Sequence, residues 1–329
     1  MNRRDFILNS LKIGAGFSFL PFPDKNVFSL ISAPVNSRVV EIVNPAVRKS
    51  GSFNAAVISR MLDEGISQLY GNENPRTVWK NLFPAHHTVG IKVNCLSGKH
   101  GASHTMLVEA VIEKLRRAGI PPGSIIIWDR LDRDLENAGF SLNRTNKNKV
   151  RCFGNDTAGF DRKLYMNGSV ASLVSRTLTQ FCDSVINIPV LKDHGIVGIT
   201  LSMKNFFGAI HNPNKYHASA GNPFVADLYE MDIIRRKSRL IICDALDAQH
   251  EGGPPFKPQW VWPMNGLLLA LDGVALDRVG WEIIERKRAE TGFPPLEKAG
   301  RKPEYILTAG QKGIGQSQLD EIEWVKSGV

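Results

Sequence analysis

Residues 184–208 read SVINIPVLKDHGIVGITLSMKNFFG, in which two apolar segments are each followed at once by polar side chains. Five side chains that can bind an ion or carry a proton end these segments: Lys192, Asp193, His194, Lys204 and Asn205. Continuous apolar segments of this length are typical of strands buried on both faces of a sheet. We therefore predict strands at 184–190 and 198–203 with ionisable side chains just beyond them.

The same alternation of short apolar segments and helical segments continues along the chain. Further strands are predicted at 39–43, 88–94, 124–128, 149–153, 239–244, 266–271 and 305–309. Helices are predicted at 54–70, 104–118, 169–181, 224–237, 274–287 and 318–326. Strands alternating with helices predict an α/β fold with a mainly parallel mixed sheet flanked by helices. We expect residues 37–329 to form one such domain, preceded by a signal and linker at 1–36.

The composition of the 329 residues is that of a globular protein, with 43% apolar and 22% charged residues. The net charge of +9 favours an anionic substrate or a membrane surface. The basic residues are scattered and do not alternate with aromatic ones, so no nucleic-acid partner is expected. The four cysteines form no CxxC pair, so an iron–sulfur cluster is not expected in this chain alone. Buried free thiols are favoured, with a disulfide as the alternative.

The amino-terminal segment MNRRDFILNSLKIGAGFSFLPF (1–22) places Arg3 and Arg4 before a weakly apolar stretch. This stretch is too short and too polar for a transmembrane span. Paired arginines in this position resemble a twin-arginine export signal. We expect the twin-arginine export machinery to carry the protein to the periplasm, and an uncleaved leader would hold it at the membrane. The alternative is a basic amphipathic leader on a cytoplasmic protein.

The segment VGIKVN (89–94) is a third apolar segment that ends in polar side chains. Because strand side chains alternate, Lys92 and Asn94 share one face. Ligands of open α/β sheets bind beyond the carboxyl ends of the strands, so both side chains are candidates for a site. An edge strand with a solvated lysine is the alternative.

The residue types at these strand ends suit anion binding or proton transfer. A lysine can clamp a carboxylate, act as a base when desolvated, or form a covalent adduct. A histidine can act as a general base or bind a metal. The predicted catalytic residues are Lys92, Lys192, His194, Lys204 and Asn205. The predicted substrate-binding residues are Asn94, Gly208 and Gly252.

The segment CDALDAQHEGGPP (243–255) offers metal ligands, because Asp244 ends an apolar strand and is followed by His250 and Glu251. Carboxylates and imidazoles of this kind bind divalent metals. We predict that a divalent metal, where present, is held by His194, Asp244 and Glu251. The spacing matches no standard zinc motif, and a turn rich in capping residues is the alternative.

Together these segments resemble the family called domain of unknown function 362. In that family an N-x-P-x-x-K-x-H segment precedes a T-L-x-x-K-N-x-x-G segment, as in residues 187–208. VGIKVN, DALDAQHEGGPP (244–255) and LLLALDGVALDRVGWEII (267–284) resemble further family segments in the expected order, and the resemblance covers roughly residues 37–327. It implies functional positions at Lys92, Asn94, Lys192, His194, Lys204, Asn205, Asp244, Glu251, Gly252 and Asp272. Asp193 stands where a small hydroxylated residue is more usual.

These observations favour an exported enzyme, metal-dependent in one version, that acts on a small anionic or polyhydroxylated substrate. Two alternatives stay open. One is a periplasmic partner in redox chemistry or in the maturation of iron–sulfur or other metalloenzymes. The other is a non-catalytic ligand-binding protein.

Overall fold

The computed structural model describes residues 37–49 and 51–328, so the predicted signal at 1–36 lies outside the described residues. Among the helices that are described, none combines the length and the apolar character needed to cross a membrane. The strands of this part are β1 (Arg38–Val43), β2 (Arg48–Lys49), β3 (Ser52–Phe53), β4 (Val89–Lys92), β5 (Ile125–Trp128), β6 (Arg151–Cys152), β7 (Phe160–Asn167), β8 (Val170–Ser175), β9 (Ser184–Asn187), β10 (Val190–His194), β11 (Gly198–Thr200), β12 (Ser238–Gln249), β13 (Val261–Trp262), β14 (Gly266–Ala270) and β15 (Glu323–Gly328). The α-helices are α1 (Ala55–Leu69), α2 (Pro75–Leu82), α3 (Thr105–Ala118), α4 (Asp132–Asn137), α5 (Asn155–Ala158), α6 (Ser202–Asn205), α7 (Phe224–Glu230), α8 (Asp232–Lys237), α9 (Gly273–Glu290) and α10 (Glu304–Gln311).

One large mixed sheet organises the described residues, and its main path runs β15-β1-β14-β12-β9-β4-β5-β6. From β12 through β9, β4 and β5 to β6, each strand is parallel to the next along this path. Strand β14 runs antiparallel to β1 and β12. The β10–β11 hairpin branches from β12. The predicted α/β fold, with a mainly parallel mixed sheet flanked by helices, is confirmed.

Helices cover both faces of the sheet. Gly65 of α1 lies so close to β14 that a Cβ there would come within 2.6 Å of the Leu269 side chain. The alternate residue Leu268 belongs instead to the core cluster that includes Val274 and Val279 of α9. The four cysteines are buried free thiols, as the sequence favoured.

The parallel register brings three strand ends to one edge. Lys92 of β4 is opposite Trp128 of β5 on one side and Asn187 of β9 on the other. All three short strands are fully buried, so their apolar residues fill both faces. The polar residues that follow them therefore meet where ligands of open α/β sheets bind.

Three predicted elements have the wrong secondary structure. Residues 305–309 lie in α10, because Tyr305, Ile306 and Ala309 are buried at helical rather than alternating spacing. Residues 170–175, predicted within a helix, form β8, in which Val170 and Val174 point to the core at strand spacing. Residues 323–328 form β15, which pairs with β1 at the sheet edge, so the helix predicted at 318–326 is also wrong.

Other predicted elements differ from the observed ones in their extent. The strand predicted at 184–190 stops at Asn187, because Pro189 has no N–H to donate to a ladder. The strand predicted at 198–203 stops at Thr200, and α6 begins two residues later. The helix predicted at 224–237 is divided at Met231, whose φ of −51° and ψ of 126° are extended.

Candidate functional site

A cavity of about 390 Å³ opens at the carboxyl ends of β4, β5 and β10. This volume suits a small organic ligand. Most of the predicted site residues line it: Lys92, Asn94, Lys192, His194, Lys204, Asn205 and Gly208. The fold therefore brings together side chains that are more than 100 residues apart in sequence, as their positions at strand ends predicted.

The ammonium group of Lys92 uses all of its hydrogen-bond donors within the protein. Its Nζ donates to Asp129 Oδ1 at 2.6 Å, to the Val93 carbonyl at 2.6 Å and to Asn205 Oδ1 at 3.3 Å. An ammonium group has three donors, so none is left for a ligand. Asp129 was missed by the sequence analysis, although it directly follows β5 in the same way that Asp244 follows an apolar run.

The ammonium group of Lys192 also uses all three of its donors within the protein, and all three acceptors are neutral. Its Nζ donates to Asn94 Oδ1 at 2.8 Å, to Ser97 Oγ at 2.7 Å and to the Gly101 carbonyl at 2.9 Å. Its side chain forms no ion pair within 37–49 and 51–328, and burial lowers the pKa of Lys192 to about 8. Lys192 therefore adds an uncompensated positive charge beside the cavity.

A chain of asparagine amides connects the lysines. Asn94 Nδ2 donates to Asn205 Oδ1 at 3.1 Å, and Asn205 Nδ2 donates to Asn187 Oδ1 at 2.7 Å. Asn187 in turn donates to the Ser202 carbonyl at 2.9 Å, which fixes the start of α6 to the end of β9. Asn94 and Asn205 thus use much of their hydrogen-bonding capacity to hold the frame of the site.

Lys204 has a different environment. It lies in the short helix α6, is 7% exposed, and its Nζ is 3.1 Å from His217 Nε2 and 3.8 Å from the centre of the Phe207 ring. No carboxylate of the described residues pairs with it. Burial and the positive charge of Lys192 lower the pKa of Lys204 to about 7. Two of its three donor positions remain free to meet a ligand.

The tautomer of His217 follows from its neighbours. Its Nδ1 faces the carbonyls of Pro213 at 3.1 Å and Asn214 at 3.3 Å, so Nδ1 carries the proton. Nε2 then accepts from Lys204. His217 could not be predicted from the sequence, because it lies in a loop with no strand or repeat to mark it.

His194 faces the cavity as a hydrogen-bond donor. Its Nδ1 accepts from the backbone N–H groups of Ile196 at 3.1 Å and Val197 at 3.4 Å, so the proton lies on Nε2. Burial, followed by the charge of Lys204, lowers the pKa of His194 to about 2. Binding a metal or accepting a proton at Nε2 would require the opposite tautomer, with an Nδ1 proton directed at two N–H groups. This geometry opposes the metal-ligand and general-base roles predicted for His194.

Thr200 is a further polar group of the cavity that the sequence analysis missed. It is opposite Lys192 in the β10–β11 hairpin and lines the same cavity. Its buried Oγ1 has no hydrogen-bond partner among the residues described. Buried hydroxyls are nearly always paired, so a water molecule or a ligand supplies the missing partner.

The structure does not bring the predicted metal ligands His194, Asp244 and Glu251 together. Asp244 accepts from the His104 backbone N–H at 2.7 Å and from its Nδ1 at 2.9 Å, and Glu251 pairs with Arg288 and Arg301. Across 37–49 and 51–328, no three His, Cys, Asp or Glu side chains are grouped closely enough to hold a metal ion.

Asp193 belongs to the same ion-pair cluster as Glu251. Its side chain alternates away from Lys192 and His194 and pairs with Arg301 at 2.6 Å. Asp193 is fully buried and Arg301 is 6% exposed. The negative charge of Asp193 is therefore neutralised within the protein.

Replacing Glu251 with alanine is expected to lower the free energy of unfolding by about 2 kcal/mol, because it removes charge-assisted bonds to two buried guanidinium groups. Urea unfolding measures this loss. The metal content of the purified variant should equal that of the wild type. A fall in bound metal with unchanged stability would instead support the metal-ligand role.

The two predicted substrate-binding glycines differ. A Cβ at Gly208 would lie 2.8 Å from Asp129 Oδ1 and 3.0 Å from Lys92 Nζ, so this position must be glycine beside the ion pair. Gly252 has a φ of +77° and packs under the ring of Trp260, in a turn that does not line the cavity. Asp272 caps α9 through Val274 N at 2.8 Å and is also outside the cavity lining.

The charges around the cavity favour an anion. Four cationic side chains, Lys92, Arg130, Lys192 and Lys204, line it against the two carboxylates Asp129 and Asp134. With all six groups ionised, the difference, four minus two, is two positive charges. An anionic ligand would neutralise them in a region of low dielectric.

Comparisons with known proteins identify a family and a solved structure to which the chain is similar. The family model described as Domain of unknown function (DUF362) matches residues 89–282, which is more than half of the chain. No curated protein matches it. A protein from Thermotoga maritima, whose crystal structure was determined by the Northeast Structural Genomics Consortium, aligns with a TM-score of 0.44 and 12% identity. The alignment covers 72% of this chain and 59% of that one, so the chain spans less than two thirds of that structure's length.

Proposed function

The chain belongs to the family described as Domain of unknown function (DUF362), and we propose that it is an enzyme that binds a small anion and exchanges a proton with it through Lys204. One observation carries this proposal. Lys204 is a buried amine without a carboxylate partner among the described residues, and two of its donor positions face no protein acceptor.

The need for an anion follows from electrostatics. A buried ammonium group is strongly disfavoured unless a negative charge or a full set of hydrogen bonds compensates it. Lys192 has the hydrogen bonds but no negative charge, and Lys204 has one hydrogen bond. A carboxylate or phosphate in the cavity would compensate both lysines.

Three donors would contact the anion: Lys204 Nζ, the Nε2–H of His194 and the hydroxyl of Thr200. All three line the cavity. Hydrogen bonds from such donors to a carboxylate or phosphate oxygen are stronger than neutral ones. Lys92 and Lys192 would act through their charge and by fixing the frame, since their donors are already used.

Proton transfer is assigned to Lys204 because a pKa of about 7 populates both its amine and its ammonium form near neutral pH. The amine would take a proton from a carbon or oxygen next to the anionic group. The ammonium so formed would stabilise the negative charge left on the substrate and then return the proton. His217 holds the amine in position through its Nε2.

Hydrogen–deuterium exchange tests the proposal without knowledge of the complete reaction. The purified protein is incubated in D₂O with a panel of 2-hydroxy acids, 2-oxo acids and small organic phosphates, and NMR follows the loss of substrate C–H signals. We expect catalysed exchange in at least one compound. Binding with neither exchange nor turnover would make the chain a ligand-binding protein, and no binding of any anion would contradict the anion site.

The pKa of Lys204 can be tested separately by chemical labelling. The rate of amine acylation at Lys204, mapped by mass spectrometry, is expected to rise with a midpoint near pH 7. Surface lysines in the same sample are expected to titrate near their usual value of about 10.4. Replacing Lys192 with methionine should raise the midpoint, because it removes a neighbouring positive charge. A midpoint near 10 in the wild type would contradict the proposed base.

We also propose that the protein is exported by the twin-arginine route, on the basis of Arg3 and Arg4 in the sequence. Replacing both with lysine is expected to leave the protein in the cytoplasm of an export-competent host, as measured by cell fractionation. The matched control is Arg116→Lys with Arg117→Lys on the exposed end of α3, which should leave export unchanged. Equal periplasmic amounts of both variants would refute the signal.

A further inference from the structure

The opening of the cavity has exposed apolar side chains. Four large hydrophobic residues of the described chain are more than half exposed: Leu96 at 60%, Leu164 at 53%, Met166 at 74% and Ile196 at 53%. Leu164 and Met166 are on the β7–β8 hairpin. Leu96 and Ile196 both line the cavity, and their exposure places them at its mouth.

Hydrogen bonds fix the two segments that carry these side chains. Ser97, next to Leu96, donates its hydroxyl to the Pro254 carbonyl and accepts from Lys192 Nζ. Gly195, next to Ile196, donates its N–H to the Gly253 carbonyl at 2.7 Å. Both segments are therefore attached to residues 253–254, and Pro254 also lines the cavity.

Single exposed apolar residues are common on protein surfaces. Leu96 and Ile196 differ from such cases because they come from separate loops, share one cavity and are held at its mouth by the same neighbouring segment. The interior of that cavity carries the donors of Lys204, His194 and Thr200, together with the Phe207 ring. The cavity is thus cationic within and aliphatic at its opening.

We propose that the ligand is an amphiphilic anion, whose carboxylate or phosphate group lies at Lys204 and whose apolar chain leaves between Leu96 and Ile196. This inference rests on the proposed anion site and adds the class of substrate. The apolar chain would cover side chains that water otherwise contacts, and burial of each methylene strengthens binding up to about fourfold.

Calorimetric titration with a homologous series tests the inference. The probes are inorganic phosphate, acetate, butyrate, hexanoate and octanoate, with octyl phosphate and the neutral octanol, all below their aggregation concentrations. In the wild type we expect affinity to rise by about twofold to fourfold per methylene over the part of the chain that passes the mouth. Octanol should bind far more weakly than octanoate and octyl phosphate.

Two double variants locate the effect. In Leu96→Ser with Ile196→Ser, the ratio of octanoate affinity to acetate affinity is expected to fall at least tenfold. In Leu164→Ser with Met166→Ser, which changes exposed apolar residues that do not line the cavity, the ratio should equal that of the wild type. Thermal unfolding of both variants checks that they fold, which their exposed positions favour.

The outcomes separate this inference from the proposed function. If neither acetate nor phosphate binds, the anion site itself is wrong. If acetate binds but longer chains bind no more tightly, only the amphiphilic class is wrong. If octanol matches octanoate, or if the chain-length effect persists without Leu96 and Ile196, the assignment of the head group or of the mouth is overturned.

Discussion

Replacing Lys204 with methionine is expected to slow proton exchange with the substrate by about 10²–10⁴-fold, the range that a positioned acid or base supplies. Methionine has a similar length, and its thioether end can pack against the Phe207 ring that Lys204 Nζ contacts. The variant removes the amine and leaves the shape of the site nearly unchanged. Exchange in D₂O, followed by NMR, measures the loss.

The same variant is expected to be at least as stable as the wild type. Lys204 has no carboxylate partner among the described residues, so its removal leaves no buried charge unpaired. Lys92→Met is the matched control, since it leaves the carboxylate of Asp129, which is 6% exposed, without its cation. Breaking a buried pair in this way lowers the free energy of unfolding by about 3–5 kcal/mol. A Lys204→Met variant that loses as much stability as Lys92→Met would contradict the assignment of Lys204 as uncompensated.

The pH dependence of this comparison has a definite sign. Burial and Lys192 lower the pKa of Lys204 to about 7 in the folded protein, against about 10.4 in an unfolded chain. The unfolded state therefore binds more protons between these values, and stability rises with pH across that window. The stabilisation gained in Lys204→Met should be largest below pH 7 and should disappear above about pH 10.4. Urea unfolding of both proteins at several pH values measures it.

The sequence predicted the location of the site because it depends on regular structure. Lys92 and Lys192 follow or end apolar strands, and parallel pairing brings such ends to one edge whatever their separation in the chain. Asp129 directly follows β5 and could have been predicted in the same way. Lys204 was predicted to lie just beyond an apolar strand, close to the other polar side chains, and it does line the cavity. The short α-helix that carries it was not predicted.

The sequence did not predict which lysine is available, because that depends on contacts made by loops. Ser97 and Gly101 complete the hydrogen bonds of Lys192. Among the described residues, Lys204 Nζ instead hydrogen-bonds to His217 alone, which lies 13 residues further along in an irregular segment. The predicted metal ligands are not brought together in the structure, for a related reason. Glu251 is neutralised by Arg288 and Arg301, residues that no local pattern connects with it.

The buried pair of His104 and Asp244 is expected to stabilise the fold as much as the pair of Lys92 and Asp129. His104 Nδ1 is 2.9 Å from Asp244 Oδ2, and Asp244 is fully buried. Burial opposes the charge of the imidazole, but the Asp244 carboxylate and the weaker contact with Asp247 together raise the pKa of His104 to about 10. The residue is therefore an imidazolium at neutral pH and neutralises a carboxylate that contacts no solvent.

Replacing His104 with phenylalanine is expected to lower the free energy of unfolding by about 3–5 kcal/mol at pH 6, because the ring is kept and only the charge partner of Asp244 is removed. A histidine with a raised pKa stabilises the fold fully below its unfolded value of about 6.5, and this contribution is lost as pH rises through about 10. The difference between wild type and variant should therefore shrink steadily across that range. His86→Phe, at an exposed histidine, should show no loss and no such trend. A difference independent of pH would mean that His104 contributes shape and hydrogen bonding alone, and that Asp244 does not depend on its charge.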